Sequence, residues 1–304
     1  MMILTNLTIA LLAYLIDRIF GEFSFIKHPI ILIGDIISFF EEKFYKDSVF
    51  RGFFLVLFVL LSVGAISITV YFYLDLLHPL FKILISAFIA SMFLAHKMLY
   101  ESVKEVLYAE NKQEHIAMLV SRDTKNLNES EIYKAAIETY AENLNDGVIA
   151  PLFYLVLFGL PGIILYKTIN TMDSMVAYRN ERYEKFGKVA AIIDDFVNFI
   201  PSRITAILIM LIAKERNPFS FYKNGTKHES PNAGHPITAM ALSLGIKLGG
   251  PTSYFGEVKE KAYFGEGEEE IVQKDLQKAL LNSPKIDMII ISLFSLAILG
   301  NFFI

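Results

Sequence analysis

Three long runs of the sequence contain no charged residue, and they limit the fold more than any other feature. The runs cover residues 52–74, 147–166 and 288–304. The hydrocarbon core of a bilayer is about 30 Å thick, so a helix needs about 20 apolar residues to cross it. The first two runs are long enough, and the third is nearly so. Because 54% of the chain is also hydrophobic, against about 45–50% in soluble domains, we predict an all-α, polytopic integral membrane protein.

Two shorter apolar stretches are further candidates for membrane helices. Residues 2–16 have no basic residue before them and no small-residue cleavage site after them. A cleavable signal peptide has both features, so we expect a first helix that is retained. Residues 79–96 are the other candidate, because Lys82 lies near enough to one end for its amine to reach the interface.

The polar segments between these runs indicate the orientation. Segments 17–52, 97–147 and 214–285 are rich in Lys and Arg, whereas the link 75–77 contains neither. The positive-inside rule therefore places these segments in the cytoplasm, within one multi-pass domain of the cell (inner) membrane that covers residues 1–304.

Residues 147–213 conflict with a simple succession of crossings. A crossing at 147–166 would put residues 167–195 outside the cell, although five of them are basic. Pro151, Gly159 and Pro161 interrupt this run, and broken helices at membrane depth are tolerated where they line a protein cavity. We therefore predict broken or re-entrant helices around a cytoplasm-facing polar cavity, with two full crossings as the rival. Residues 189–213 are either a polar span or a helix that begins only near Ile204.

Composition excludes several classes of site. The chain has no cysteine, so disulfides, thiolate metal sites and cysteine nucleophiles are excluded, and a metal would need oxygen or imidazole ligands. The net charge of -4 is mixed in sign along the chain. Nucleic acid is therefore not an expected partner.

An acidic helix is predicted from residue 129 to residue 143. Asn128 followed by Glu131 fits a capping box at its start. Glu138 and Glu142 are four residues apart and share a face, where like charges repel unless a cation lies between them. One interpretation is a solvated acidic face with Lys134 as a helix-face partner of Glu138, and the other is a site for a cation or an ammonium group. The polar residues that follow at the bilayer edge are Asn143, Asn145 and Asp146.

A second polar group lies between residues 170 and 203. Asn170, Asp173 and Ser174 would share one helical face, about one turn from membrane depth. Together with Asp194 and Asp195 they offer the hard oxygen ligands that suit Mg²⁺. Salt bridges between helices are the structural alternative.

The segment 231–256 leads into a semi-apolar helix that we expect to end at a Gly249 cap. Gly249 and Gly250 could instead form a backbone nest for phosphate, with Lys247 and His235 nearby. A charged helix is predicted over residues 266–281, with Glu266 to Glu270 as its solvated start.

The polar motifs together resemble one family, and they follow its order along nearly the whole chain. They are Asp17-Arg-Ile-Phe-Gly-Glu22, His28-Pro29 with Gly34, Ser121-Arg-Asp-Thr124, Ala141-Glu-Asn-Leu-Asn-Asp-Gly-Val-Ile-Ala-Pro-Leu-Phe153, Asn170-Thr-Met-Asp-Ser-Met175, Tyr178-Arg-Asn-Glu-Arg-Tyr183, Asp194-Asp195, Pro201-Ser-Arg203, Pro231-Asn-Ala-Gly234 and Leu248-Gly-Gly-Pro251. The chain resembles the adenosylcobinamide-phosphate synthase family of cobalamin biosynthesis, the CbiB/CobD type.

The resemblance implies an ATP-dependent ligase that joins a carboxylate of adenosylcobyric acid to the amine of 1-amino-2-propanol or its O-phosphate. It also implies ATP and Mg²⁺ as cofactors, a corrinoid and a small amine as substrates, the lipid bilayer as surroundings, and association with other membrane enzymes of late cobalamin synthesis. A transporter and a non-catalytic membrane sensor remain alternatives, although the sequence shows no inverted repeat of the kind that transporters contain.

On this basis we assign roles as hypotheses. Either Glu138 or Glu142 would hold the ammonium group and take its proton, and the two arginines of the catalytic set would offset charge. The proposed catalytic residues are Glu138, Glu142, Asp146, Arg179 and Arg203. The proposed ligand-binding residues are Asp17, His28, Arg122, Asp123, Asn143, Asn170, Ser174, Tyr178, Asn232, His235, Gly249 and Gly250. The proposed metal ligands are Asp173, Asp194 and Asp195.

Overall fold

A computed structural model describes residues 2–23, 26–178, 180–254 and 256–301 of the chain. Helices dominate these residues, and the strands are two or three residues long, which confirms the all-α prediction. Six helical stretches of the described residues are long and apolar enough to cross a membrane: Met2–Phe20, Val49–Asp75, Pro79–Glu105, Glu129–Val176, Lys188–Ile212 and Gln273–Gly300. The long charge-free runs of the sequence all lie within these stretches or overlap them.

The chain divides into two compact units. The first unit comprises Met1–Ala95, Ala150–Asn198 and Ile291–Ile304, and the second comprises His96–Ile149 and Phe199–Ile290. The expectation of a single membrane domain stays a prediction.

Helices alone form the regular structure of the first unit, as far as the chain is described there. They are α1 (Met2–Phe20), α2 (Pro29–Phe44), α3 (Val49–Asp75), α4 (Pro79–Ser91) and α8 (Ala150–Val176), with the beginning of α9 (Lys188–Ile212) and the end of α13 (Asn282–Asn301). The helices of the second unit between α4 and α8 are α5 (His96–Glu105), α6 (Lys112–Ala117) and α7 (Glu129–Leu144).

Helix α8 is a hairpin rather than one rod. Its backbone leaves helical geometry at Gly159, where φ is 67° and ψ is -158°. The rings of Tyr154 and Tyr166 stack with centroids 5.1 Å apart, whereas in a continuous helix twelve residues would separate them by about 18 Å. Arm 150–158 and arm 160–176 therefore fold back on each other, which confirms the broken helix predicted from the glycine and proline residues, while its re-entrant path through the membrane stays a prediction.

The hairpin tip depends on a polar side chain from α1. Asn6 is buried and donates from Nδ2 to the carbonyl oxygen of Val156 at 3.1 Å. A Cβ atom at Gly159 would lie 3.2 Å from Oδ1 of Asn6, and the positive φ also favours glycine. Since an apolar environment offers no water to an interrupted helix, Asn6 provides one of the hydrogen bonds that the break removes.

Helix α9 is continuous from Lys188 to Ile212, so the alternative that a helix begins only near Ile204 is wrong. Pro201 lies inside it and removes the hydrogen bond that Val197 would normally accept. The hydroxyl of Tyr154 donates to that carbonyl oxygen at 2.9 Å. The partner that compensates for the proline thus comes from the hairpin, which the residues around Pro201 do not indicate.

Helix α7 begins as its sequence predicts. The Asn128 side chain accepts from the Glu131 amide at 3.0 Å, and the Glu131 carboxylate accepts from the Asn128 amide at 2.8 Å. The helix continues into a π-helical turn, Asn145–Ile149, and turns of this kind often occur at functional sites. There the buried Asn145 accepts a hydrogen bond from Thr205 at 3.1 Å.

Short strands follow α10 (Tyr222–Gly225) and α11 (Gly234–Leu244) in the second unit. Strand β1 (Leu248–Gly249) pairs antiparallel with β4 (Tyr263–Phe264), and β2 (Thr252–Tyr254) pairs antiparallel with β3 (Glu257–Lys259). The prediction that Gly249 caps the preceding helix is wrong, because Gly245 is the cap with φ of 68°. Gly249 instead pairs with Tyr263 across the sheet.

The charged helix of the second unit is shorter than predicted. Helix α12 spans Gln273–Leu280, so residues 266–270 are not its first turn. The backbone of Glu268 instead bonds to the chain that leaves α11, since its carbonyl accepts from Lys247 at 2.7 Å and its amide donates to Gly245 at 3.2 Å. These long-range backbone bonds compete successfully with helix formation.

Candidate functional site

Glu138 occupies a central position in the second unit. Its side chain on α7 is 6% exposed, and each carboxylate oxygen accepts a hydrogen bond of 2.6 Å. One donor is Nη2 of Arg122, and the other is the backbone amide of Gly249. Burial lowers the pKa of Arg122, but the Glu138 carboxylate more than offsets this, so that its pKa lies above the ordinary value. Both carboxylate oxygens of Glu138 thus have a hydrogen-bond donor.

This geometry separates the two glutamates of α7. Glu138 pairs with Arg122 and not with Lys134, the partner considered in the sequence interpretation. Glu142, one turn further along, is exposed, and its charge contributes to the raised pKa of Arg122. Of the two, Glu142 is the more accessible to a ligand.

The other polar residues at the end of α7 bond locally. Asn143 is exposed and donates to the Thr139 carbonyl at 2.9 Å. Asp146 is half-buried and accepts from the side chain of Asn145 at 2.7 Å. The π-helical turn thus presents a carboxylate that its neighbour holds in place.

Asp123 fixes the hairpin formed by β2 and β3. Its Oδ2 atom accepts from the Ser253 hydroxyl at 2.6 Å and from the Gly256 amide at 2.8 Å. Its own amide donates to the Ser253 carbonyl at 3.0 Å. These bonds connect loop 122–127 to a hairpin that lies about 130 residues later in the sequence.

A cavity of about 820 Å³ lies between this loop, α7 and the hairpin, and we refer to it as the loop cavity. Its volume is within the range of about 300–1,000 Å³ that is usual for ligand sites. The residues that line it are Arg122, Asp123, Thr124, Lys125, Asn126, Leu127, Glu131, Lys134, Gly249, Pro251, Thr252, Ser253, Gly256 and Val258.

The backbone amides of Gly249 and Gly250 already have acceptors. Both residues have positive φ, 75° and 83°, but Gly249 donates to Glu138 at 2.6 Å and Gly250 donates to the Ala262 carbonyl at 3.1 Å. Lys247, expected beside a phosphate, pairs with Glu269 at 2.8 Å. A ligand in the loop cavity would therefore contact side chains rather than a glycine nest.

Arg203 and Asn232 are brought together as neighbours. One guanidinium nitrogen of Arg203 donates to Oδ1 of Asn232 at 2.7 Å, and the other donates to the Pro231 carbonyl at 3.0 Å. Arg203 also lies over the ring of Phe199. These contacts hold the turn before α11 and occupy both terminal nitrogens.

His235 is fully buried, and its ring stacks on Tyr222 with centroids 5.0 Å apart. Gly225 makes room for the ring, because a Cβ atom there would collide with Nδ1. Among the described residues, neither ring nitrogen has a hydrogen-bond partner. Burial, with the nearby Arg203 and His228, lowers the pKa of His235 to about 4, so the ring is neutral at pH 7.

In the first unit, Asp194 belongs to a buried polar chain that the sequence did not reveal. The Tyr166 hydroxyl donates to Oδ1 of Asn198 at 2.9 Å, and Nδ2 of Asn198 donates to Oδ2 of Asp194 at 3.0 Å. Tyr166 and Asn198 thereby fix the orientation of this carboxylate.

The remaining proposed residues of the first unit occupy several elements. Asp17 is buried in α1, and His28 caps α2 by accepting from the Ile30 amide at 3.3 Å. Burial is the main cause that lowers the pKa of His28. On α8, Asn170 accepts from Lys167 at 2.9 Å. Ser174, also on α8, donates to the Asn170 carbonyl at 2.9 Å. The first unit further contains Asp173 and Asp195, which are half-buried, and Tyr178, which is exposed. Arg179 lies outside the described residues.

Comparison with known proteins decides the family. The model of the family described as CobD/Cbib protein matches residues 10–282. This chain belongs to the CobD/Cbib family. The resemblance inferred from the polar motifs is thereby confirmed. No solved structure matches the chain.

Relatives of this CobD/Cbib protein span almost its whole length. The cobalamin biosynthesis protein CobD of Halalkalibacterium halodurans is 37% identical over 88% of this chain and 89% of its own. Two relatives are named probable cobalamin biosynthesis protein CobD. The one from Pyrococcus furiosus is 40% identical over 80% of this chain and 85% of its own. The one from Methanococcus aeolicus is 36% identical over 93% of this chain and 94% of its own.

The oxygen ligands of this CobD/Cbib protein suit magnesium only in part. Within the described ranges, no three His, Asp or Glu side chains lie together in a way that could hold a metal ion. Mg²⁺ commonly takes one or two carboxylates and completes its shell with water and substrate phosphates. The residues present fit that mode and not a cage made by protein alone, and the assignment of Asp173, Asp194 and Asp195 stays a prediction.

Several residues of these polar networks escaped the sequence interpretation. Ser253 holds Asp123, Asn198 and Tyr166 hold Asp194, and Lys125 lines the loop cavity. A polar Asn four residues after Asp194 was a local signal, since that spacing brings side chains together on a helix. The other partners are separated from these residues by long stretches of sequence and had no such signal.

Proposed function

We propose that this protein is an ATP-dependent ligase of cobalamin biosynthesis, which joins a carboxylate of adenosylcobyric acid to the amine of 1-amino-2-propanol or its O-phosphate. The match to the CobD/Cbib family over residues 10–282 carries the proposal. The names of the relatives support the pathway, and a polar cavity beside an ionised Arg122–Glu138 pair is compatible with charged substrates.

The chemistry requires two activations. A carboxylate is a poor acyl donor, so its oxygen attacks the terminal phosphorus of ATP, ADP leaves, and an acyl phosphate forms. The substrate amine must lose a proton before its nitrogen attacks the acyl carbon, after which phosphate leaves and the amide remains. General-base help in such a proton transfer typically contributes about 10²–10⁴-fold to the rate.

Glu142 is the residue to which we assign the ammonium group and its proton. It is exposed, whereas both oxygens of Glu138 are occupied by Arg122 and Gly249. Glu138 then acts by positioning Arg122. Asp146 provides a second carboxylate close to the end of α7.

The phosphate chemistry is assigned to aspartates and arginines. Asp173, Asp194 and Asp195 would hold Mg²⁺, which when bound would neutralise charge on the triphosphate. Arg179 would offset charge on the transferred phosphoryl group. Arg203 is assigned to the turn at Asn232, because its terminal nitrogens are bonded there.

A product assay with purified protein tests the proposal. Adenosylcobyric acid, ATP and magnesium are supplied with either amine, and adenosylcobinamide or its phosphate is quantified against ADP. We expect one ADP for each amide, and a loss of about 100-fold or more in Glu142→Gln if Glu142 is the general base. Glu129→Gln, an exposed position on the same helix, is the matched control. Absence of amide with both amines would refute the function.

We further propose that the active site, with the chain around Ser174 and Asn180, faces the cytoplasm. The cysteine-free chain allows single cysteines at Ser174 and Asn180, which are both exposed, and at Leu76 in the predicted outer link. In intact cells an impermeant thiol reagent should label the cysteine at Leu76 and spare the other two. The reverse pattern would contradict this orientation.

A further inference from the structure

Among the described residues, two lysines in the loop cavity have no carboxylate partner. Lys125 is exposed, and within the described part of the chain it makes no hydrogen bond or ion pair. Lys134 is half-buried, and its ammonium group has only a long hydrogen bond of 3.4 Å to the Gly249 carbonyl and the Tyr263 ring 5.9 Å away. Two positive charges in one cavity repel each other unless an anion lies between them.

The acidic residues near the cavity accept hydrogen bonds from other groups, and among the described residues none of them forms an ion pair with Lys125 or Lys134. Asp123 accepts from Ser253 and from the Gly256 amide, and Glu131 accepts from the Asn128 amide in the capping box. Beyond the lining, Glu138 pairs with Arg122. Glu269 also faces Lys134, but it pairs with Lys247 at 2.8 Å. In the described part of the chain, Lys125 and Lys134 therefore line the loop cavity without an ion-pair partner.

The rest of the lining adds hydroxyl groups. Thr124 brings one to the cavity, whereas the hydroxyls of Thr252 and Ser253 already donate to the Gly250 carbonyl and to Asp123. Lysine is a common phosphate ligand in proteins, where it acts as a point charge. The volume of about 820 Å³ admits more than an inorganic ion.

We propose that the loop cavity binds a phosphate ester, with Lys125 and Lys134 as its cationic ligands. This inference rests on the proposed function for the choice of ligand, since two reactants there carry phosphate: the nucleoside triphosphate and the phosphorylated amine. The chemistry that recognises them is the same, and the occupant is one of the two.

Equilibrium binding to the whole purified protein tests the site. The probes are Mg-ATP, 1-amino-2-propanol O-phosphate, and unphosphorylated 1-amino-2-propanol as the ligand without phosphate. Lys125→Gln and Lys134→Gln should each weaken binding of one phosphate compound by about tenfold, because a hydrogen bond to a charged group is lost. Lys125→Arg and Lys134→Arg keep the charge and should restore most of that affinity.

Lys227→Gln is the matched control, because it removes an exposed lysine of the same unit that does not line the cavity. A loss confined to Mg-ATP identifies the nucleotide as the occupant, and a loss confined to the amine phosphate identifies the amine. Unchanged affinity for both in the lysine variants, or an equal loss in Lys227→Gln, would overturn the site.

The outcome is separable from that of the proposed function. If wild-type protein forms the amide while the lysine variants bind both phosphates normally, the site is wrong and the function stands. If no amide forms while the lysine variants lose phosphate binding, the site stands and the function fails.

Discussion

Replacement of His235 by phenylalanine should remove part of the acid sensitivity of the fold. The ordinary pKa of histidine is 6.5, and the pKa of His235 in the folded protein is about 4. Between these values the unfolded chain binds a proton that the folded chain does not bind. The free energy of unfolding therefore falls as the pH is lowered from 6.5 towards 4.

The expected magnitude follows from the interval between the two pKa values. At about 1.4 kcal/mol per pH unit, His235 should cost about 3 kcal/mol of folding stability by pH 4. The His235 side chain has no exposed surface, so its protonated form would have no contact with water. For a chain of this size, about 3 kcal/mol corresponds to roughly 6–12 °C in unfolding temperature.

The assay is thermal unfolding in one detergent at a fixed scan rate, for wild type and His235→Phe, from pH 8 to pH 4. Phenylalanine keeps the stacking on Tyr222 and does not ionise, and no hydrogen bond of the ring is lost among the described residues. The difference at pH 8 measures packing alone. His228, whose pKa burial also lowers, titrates in both proteins. Parallel curves across the whole range would refute the reasoning.

Two further predictions concern stability. Glu138→Gln should lower the free energy of unfolding by about 3 kcal/mol, because Arg122 loses its buried charged partner. The exposed Glu142→Gln should unfold like wild type. Equal unfolding temperatures of Glu138→Gln and wild type would show that the Arg122 pair is not important for the fold. Gly159→Ala should cost at least about 1–2 kcal/mol, since alanine disfavours φ of 67°, and Asn6→Ala should cost about 1–3 kcal/mol by leaving a carbonyl unsatisfied. Unchanged thermal unfolding of both variants would contradict the hairpin geometry.

Local patterns predicted the features whose causes lie within a few residues. The capping box of Asn128 and Glu131 is complete within one turn, so its sequence determines the helix start. The break at Gly159 was predictable because glycine and proline act on their own backbone. Long apolar runs likewise indicate membrane helices without knowledge of their partners.

The rest depended on contacts between distant parts of the chain. Gly245 and Gly249 both adopt positive φ, and the pairing of β1 with β4 places Gly249 in a strand rather than at the helix end. The sequence predicted the same catalytic role for Glu138 and Glu142. Glu138 instead accepts a hydrogen bond from the Gly249 amide, which lies 111 residues away. Tyr166, which helps to hold Asp194, is 32 residues away from Asn198, to which it donates. No local periodicity carries such information.

The hairpin of α8 has a consequence for how the chain is made. Arm 150–158 is roughly 14 Å long at about 1.5 Å per residue, so it is too short to be retained as a membrane segment by itself. If the hairpin lies in the bilayer, this arm has to insert together with arm 160–176. Asn6, which supplies the amide donor for Val156, leaves the ribosome 150 residues earlier. Helix α1 is therefore synthesised before the hairpin. If α1 were moved to the end of the chain, the hairpin tip would lack that donor while it inserts.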